Sequence, residues 1–276
     1  MSEEPFQLGD YSQFGLAAAE AALFSAWEAL EKFHGDLVVV GGLAVHYHTR
    51  DERNSRFPAT STLDVDFGIS LGTEAGLAGT VQFDLSMLGY QTMENGRMFR
   101  EMEHGTLYID FLTEHPPRQS GTREVSGISA EVCPGINRAL AVRKYVSIQG
   151  IDKYGDPKTY RVPICGIGPL LVLKLNAFAK RPGGKRAKDA YDLLVAVSSY
   201  SEGPAAAIAA FHAEAASDNP AFETAAQTLK SHFTQPNLDG PIQASMFRYG
   251  QNDSGSEGMR LKEDLVTIAH ALLDFE

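Results

Sequence analysis

Three observations predict a mixed α/β fold followed by a helical C-terminal half. Short apolar runs rich in β-branched and aromatic residues, at 37–40, 63–69 and 106–113, punctuate the first 167 residues. Segments of helical period lie between them. After Gly168-Pro169 only the helical period remains. The reading is therefore an N-terminal α/β domain over 1–167 and a C-terminal helical domain over 168–276.

Taken in order, 14–33 places apolar side chains and many alanines at helical spacing, which predicts an amphipathic helix. Leu37 to Val40 reads as a short buried strand and Gly42 to Thr49 as the start of a helix. The polar stretch Asp51 to Thr60 reads as a loop. Leu63 to Ile69 is the next strand, and Thr73 to Leu88 a helix capped by Thr73 and ended by Gly89. Arg97 to Glu103 and Thr106 to Thr113 read as paired strands turning at His104-Gly105. Pro116 to Gly121 is a break, and Val125 to Val132 a further strand. Tyr145 to Ile151 pairs with Lys158 to Ile164 across Tyr154-Gly155-Asp156-Pro157.

In the C-terminal half, Leu170 to Ala179 and Ala187 to Ser198 read as helices joined by a basic loop. Ala205 to Ala216, Ala221 to Phe233 and Met259 to Phe275 continue the pattern. Pro236 to Gly258, rich in Gly, Ser, Asn and Pro, reads as a long loop. No internal repeat is visible.

The 276 residues can bury a substantial core, and 43% hydrophobic with 21% charged residues is ordinary for a water-soluble protein. The acidic start Met1-Ser2-Glu3-Glu4 lacks the pattern of a signal peptide, and no apolar run is long enough for a membrane span. Cys133 and Cys165 are far apart and lack metal-ligand spacing, so a reducing cytoplasm is the expected compartment. A formal net charge of −11 argues against a protein that coats nucleic acid non-specifically. Against that background Lys180, Arg181, Lys185, Arg186 and Lys188 form a local basic segment.

The chemistry is concentrated in the N-terminal half. In an extended strand Asp64 and Asp66 point to the same face. Two carboxylates so placed repel unless something positive lies between them, and hard oxygen ligands suit Mg²⁺. Gly41-Gly42, between a strand and a helix, offers backbone N–H groups and a positive helix end to an anion. Asp110 lies among apolar neighbours within a later strand, a costly position unless paired or metal-bound. Together these features point to phosphoryl or nucleotidyl transfer. His46 and His48 form an H-x-H pair, but on a helix they stand about 200° apart and could not share a metal. Packing or a base-stacking contact is the simpler role.

The order strand, Gly41-Gly42, Asp64-x-Asp66, Asp110 resembles the nucleotidyltransferase superfamily built on the DNA polymerase β palm. Within it, Lys174-Leu175-Asn176-Ala177-Phe178-Ala179-Lys180-Arg181, then Lys185, then Lys188-Asp189-Ala190-Tyr191-Asp192-Leu193 resembles the AbiEii group of toxin nucleotidyltransferases. That group belongs to toxin–antitoxin and abortive-infection systems. The resemblance covers roughly residues 37 to 195. Two departures stand out: an inserted charged stretch at Asp51 to Arg56, and Thr60 where the family often has arginine. Arg50, Arg53 or Arg56 could substitute.

The resemblance implies an enzyme that transfers NMP from an NTP to an RNA acceptor, with tRNA favoured, and a possible cognate antitoxin. Asp64 and Asp66 would hold Mg²⁺, and Asp110 would complete a second metal position or accept the hydroxyl proton. Gly41 and Gly42 would admit the phosphates, with Ser61 or Thr62 adding a hydroxyl donor. Lys174 would neutralise the triphosphate, and Asp189 would orient Lys174 or a residue of the basic loop. Lys180, Arg181, Lys185 and Lys188 would guide the RNA backbone. Two other readings remain open: modification of a small hydroxylated molecule, as by antibiotic nucleotidyltransferases, and a catalytically silent nucleotide- or partner-binding scaffold.

Overall fold

In the computed structural model, which describes residues 8, 13–50, 57–58, 62, 64–70, 80–102, 105–152, 154–250 and 255–274, the apolar runs pair into a mixed sheet. The N-terminal half runs α1 (Gln13–Ala29), a 3-10 turn (Glu31–Phe33), β1 (Leu37–Val40), α2 (Gly41–Thr49), β2 (Asp64–Ile69) and α3 (Thr80–Ser86). It continues with β3 (Gln91–Thr92), β4 (Met98–Met102), β5 (Gly105–Thr113), β6 (Thr122–Val125), β7 (Ile128–Val132), α4 (Ile136–Ala141), β8 (Arg143–Ile151) and β9 (Pro157–Cys165). The helical half comprises α5 (Ile167–Lys180), α6 (Gly183–Ser198), α7 (Pro204–Ala215), α8 (Phe222–His232), α9 (Asp239–Tyr249) and α10 (Ser256–Leu273). The α/β class and mixed sheet are as the sequence predicts. No helix among the described residues is long and apolar enough to cross a membrane.

The described residues fall into two compact units: a sheet unit drawn from 13–44 and 61–166, and a helical unit drawn from 45–60 and 167–276.

In the sheet unit the strand order is β3-β4-β5-β2-β1-β9-β8, with the β6–β7 hairpin joined through β7 to β5. β1 is antiparallel to β2, with Val40 opposite Asp66. β2 is parallel to β5, with Asp66 opposite Asp110. Val65, Phe67, Ile69, Ile109 and Phe111 are buried, so the apolar alternation of both strands drives one set of side chains into the core. The Thr113 hydroxyl donates to the Ile69 carbonyl at 3.0 Å and ties the two strand ends together.

In the helical unit, Phe178, Tyr191, Phe211, Phe233, Phe247, Leu265 and Leu272 form the interior. The Tyr191 hydroxyl donates to the Pro58 carbonyl at 3.0 Å, and the Ser201 amide to the His48 carbonyl at 2.9 Å, which secures residues from 45–60 within this unit.

Several local expectations are corrected. Val125 to Val132 is a hairpin rather than one strand, because Ser126 and Gly127 both take positive φ (51° and 77°) and reverse the chain. The expected loop over Pro236 to Gly258 contains α9, whose Ala244 and Phe247 are buried; tertiary burial outweighs the helix-weak composition. The basic segment is mostly helical: Arg181 and Pro182 alone separate α5 from α6, and Lys185, Arg186 and Lys188 occupy the first turns of α6. Helix α4 has no counterpart in the sequence reading. Residues 73–79, expected as the first part of a helix, lie outside the described residues.

Candidate active site

Asp64 and Asp66 alternate with buried Val65 on β2, so both carboxylates share one face. The parallel register places Tyr108 beside Asp64 and Asp110 beside Asp66, adding both to that face. Asp64 and Asp110 keep 32% and 30% of their side-chain surface exposed. The three acids expected to act together are therefore brought together on two adjacent strands.

A residue not singled out in the sequence joins them. Arg97, which precedes β4, sets Nη2 at 2.9 Å from Asp64 Oδ2 and Nε at 2.9 Å from Asp110 Oδ1. The Nε contact is a charge contact rather than a well-aligned hydrogen bond. The guanidinium also lies over the Tyr108 ring, 3.9 Å from its centroid. Burial works against the charge on Arg97, but Asp64 and Asp110 outweigh it and hold its pKa above the usual arginine value. The Asp110 carboxyl is pushed up to about 7, first by burial and then by Asp66, against the opposing pull of Arg97.

Gly41 opens α2 with φ +67°, and a Cβ there would overlap the Asp66 carboxylate. Asp66 thus lies against the first residue of the helix, where the positive end of the helix dipole favours an anion. Gly42 is buried in the same turn. The Thr62 hydroxyl is engaged locally, accepting from the Asp64 amide at 3.3 Å and donating to the Asp64 carbonyl at 3.4 Å. It steadies the entry to β2 rather than presenting a donor to a ligand. Ser61, Thr60, Arg53 and Arg56 lie outside the described residues. Arg50 packs over the Tyr47 ring at 5.3 Å.

Three carboxylates on one face supply the hard oxygen donors that Mg²⁺ takes, so the residue types fit that ion. Among the described residues no three His, Cys, Asp or Glu side chains form a ready-made metal cage. At this face a guanidinium stands among the acids instead.

The helical unit holds a second charged cluster. Lys174 Nζ lies 3.0 Å from Asp189 Oδ1 and 2.6 Å from Asp192 Oδ2, and its side chain is only 6% exposed. Arg181 Nη1 reaches Asp189 Oδ2 at 3.2 Å, and Lys188 Nζ reaches Asp192 Oδ2 at 2.8 Å. Burial opposes charge on Lys174, yet Asp192 and Asp189 outweigh it and raise its pKa. Burial likewise opposes charge on Asp192, and Lys174 with Lys188 outweighs it, holding the carboxyl well below its ordinary value. Lys174, expected at a triphosphate, is thus enclosed with two carboxylates, and Asp192 is as close a partner to it as Asp189. Arg181 is the exposed arm of the cluster, at 43%. Lys180 is exposed and Lys185 half-buried, while Arg186 pairs with Asp239 at 2.7 Å.

His46 and His48 both lie on α2. His48 is buried edge-on to Tyr200, and burial together with Arg50 lowers the His46 pKa to about 4. Both fit the packing role.

Comparison with protein-family models, with curated proteins and with solved structures found nothing that matches. The chain's own residues must carry any functional reading.

Proposed function

We propose that the chain is a Mg²⁺-dependent nucleotidyltransferase that transfers NMP from an NTP to an RNA acceptor, with tRNA the favoured class. The observation that carries this reading is the shared face of Asp64, Asp66 and Asp110 on paired strands β2 and β5, beside Gly41 at the start of α2. Asp64 and Asp66 are the residues to hold the ion. Bound there, Mg²⁺ would neutralise triphosphate oxygens and stabilise the charge of the leaving pyrophosphate. Asp110, beside Asp66 on the same face, is placed to accept the proton of the attacking hydroxyl. Gly41, with no side chain of its own, lets the Asp66 carboxylate lie against the start of α2, so that an ion held there would sit beside the positive end of that helix. The sequence resemblance to AbiEii-type toxins supports the RNA acceptor, a cytoplasmic setting and a cognate antitoxin partner.

Lys174 is assigned a positioning role in this reading. Enclosed by Asp189 and Asp192, it holds α5 and α6 in register, and Arg181 on the same cluster is the cation left toward solvent.

Two observations favour alternatives. Arg181, Arg186 and Lys188 are each paired to a carboxylate of their own unit, which reduces the charge available to RNA and favours a small hydroxylated acceptor. Arg97 among the acids favours a silent scaffold.

The test is incubation with each α-phosphate-labelled NTP, Mg²⁺ and total RNA, with Asp64→Ala as control. Label in a tRNA-sized band that disappears in the variant is the expected result. Label appearing only on added hydroxylated small molecules moves the acceptor to the second class. No transfer to either, with nucleotide still bound, leaves the scaffold.

A further inference from the structure

We propose that Arg97 is an exchangeable counter-ion of the carboxylate face, held by Asp64 and Asp110 while no metal is bound and displaced when a divalent ion enters. This rests on the reading of Asp64, Asp66 and Asp110 as a metal site. The guanidinium meets the two acids through different nitrogens, Nη2 toward Asp64 and Nε toward Asp110, each at 2.9 Å. One planar group therefore spans two strands, which a point charge could not do in the same way. The Tyr108 ring supports it from the same face.

Guanidinium and metal cannot share these oxygens. A divalent ion such as Mg²⁺ takes carboxylate oxygens directly, at about 2.0–2.1 Å. Asp64, one of the two acids that would hold the ion, now has its Oδ2 against Arg97, and Asp110 beside it faces the same guanidinium. Arginine also cannot yield by losing its proton, because it stays charged at any ordinary pH. It must move, and its place in the chain permits that. Arg97 follows the turn Met93–Gly96, in which the Gly96 amide donates to the Met93 carbonyl at 2.9 Å. The Met93 amide in turn donates to the Arg97 carbonyl at 2.8 Å. The backbone is thus anchored independently of the side chain, which can swing without unpairing a strand.

Two consequences follow from one exchange. Arg97 suppresses carboxylate repulsion in the metal-free protein, and it lowers the apparent affinity for the ion by the fraction of time it occupies the face. A face open about one-tenth of the time binds about tenfold more weakly than one always open.

The experiment measures Mn²⁺ binding to the full-length protein by calorimetry, and thermal unfolding with and without Mn²⁺, for wild type, Arg97→Met, Arg97→Lys and Asp64→Ala. Arg97→Met is expected to bind Mn²⁺ about tenfold more tightly than wild type. It should melt lower without metal and recover when Mn²⁺ is added. Arg97→Lys, which keeps the charge but not the two-pronged reach, is expected between the two, and it decides the matter should Arg97→Met fail to fold. Binding in wild type that Asp64→Ala abolishes, but that neither Arg97 variant tightens, overturns the exchange and leaves the metal site standing. No Mn²⁺ binding in wild type or either Arg97 variant overturns both.

Discussion

A Cβ at Gly41 would overlap the Asp66 carboxylate, and the φ of +67° there is one that L side chains resist. Strain and overlap are separable, because Gly155 has φ +93° with open space around its missing Cβ. Gly155→Ala should lower stability by about 1 kcal/mol from backbone strain alone. Gly41→Ala is expected to cost about 1–3 kcal/mol more, because the Asp66 side chain must also leave its position. Urea midpoints of the two variants measure the difference, and equal midpoints would show that Asp66 does not need that space. The sequence makes the Gly-Gly turn and the shared face of Asp64 and Asp66 visible, since both follow from local backbone geometry. It does not show that the first glycine is demanded by the second aspartate, because β1 and β2 meet only through sheet pairing.

At the scale of elements, α5 and α6 are joined by charge as well as by apolar packing. Removing the Lys174 ammonium leaves Asp189 and Asp192 facing each other within a buried site, with Arg181 and Lys188 as partial compensation. Lys174→Met is expected to cost about 3 kcal/mol, and adding Asp189→Asn and Asp192→Asn should restore much of it. Chemical denaturation of the single and triple variants reads this directly. A Lys174→Met protein of wild-type stability that has lost transfer activity would instead make Lys174 a group that touches substrate.

Strand pairing shows a similar limit. A turn at His104-Gly105 would pair Phe99 with Asp110, whereas the observed register pairs Met98 with Ile109 and so brings Arg97 to Asp110. A one-residue shift in the turn moves the pairing by two, and Arg97 drops out of sight.

Over the whole molecule, a net charge of −11 sets acidic surroundings against one basic segment. Each cation of that segment paired to a carboxylate must give up its pair before it reaches a phosphate. Five independent contacts to single-stranded RNA would give a slope of about −3.5 in log K against log salt. The expected slope is shallower, and filter binding over a salt series measures it. A slope at or beyond that value would show that Arg181, Arg186 and Lys188 leave Asp189, Asp239 and Asp192 to bind RNA. The division into an α/β half and a helical half was legible because strand and helix periods differ within short windows. The inclusion of residues from 45–60 in the helical unit was not, because it depends on contacts such as Tyr191 to Pro58 between distant parts of the chain.

The sequence by itself determined the α/β class, the carboxylate pair on β2, the third acid on β5, the glycine turn before α2, and the lysine and aspartates of α5 and α6. Each of these is a property of neighbouring residues and their backbone period. Tertiary structure alone decided contacts that no local pattern implies: Arg97 with Asp64 and Asp110, Asp66 with the space at Gly41, and Lys174 with Asp192 beside the expected Asp189. The physical reason is range. Backbone periodicity acts over a few residues and can be read along the chain, whereas ion pairing depends on register and packing that place distant residues within about 3 Å.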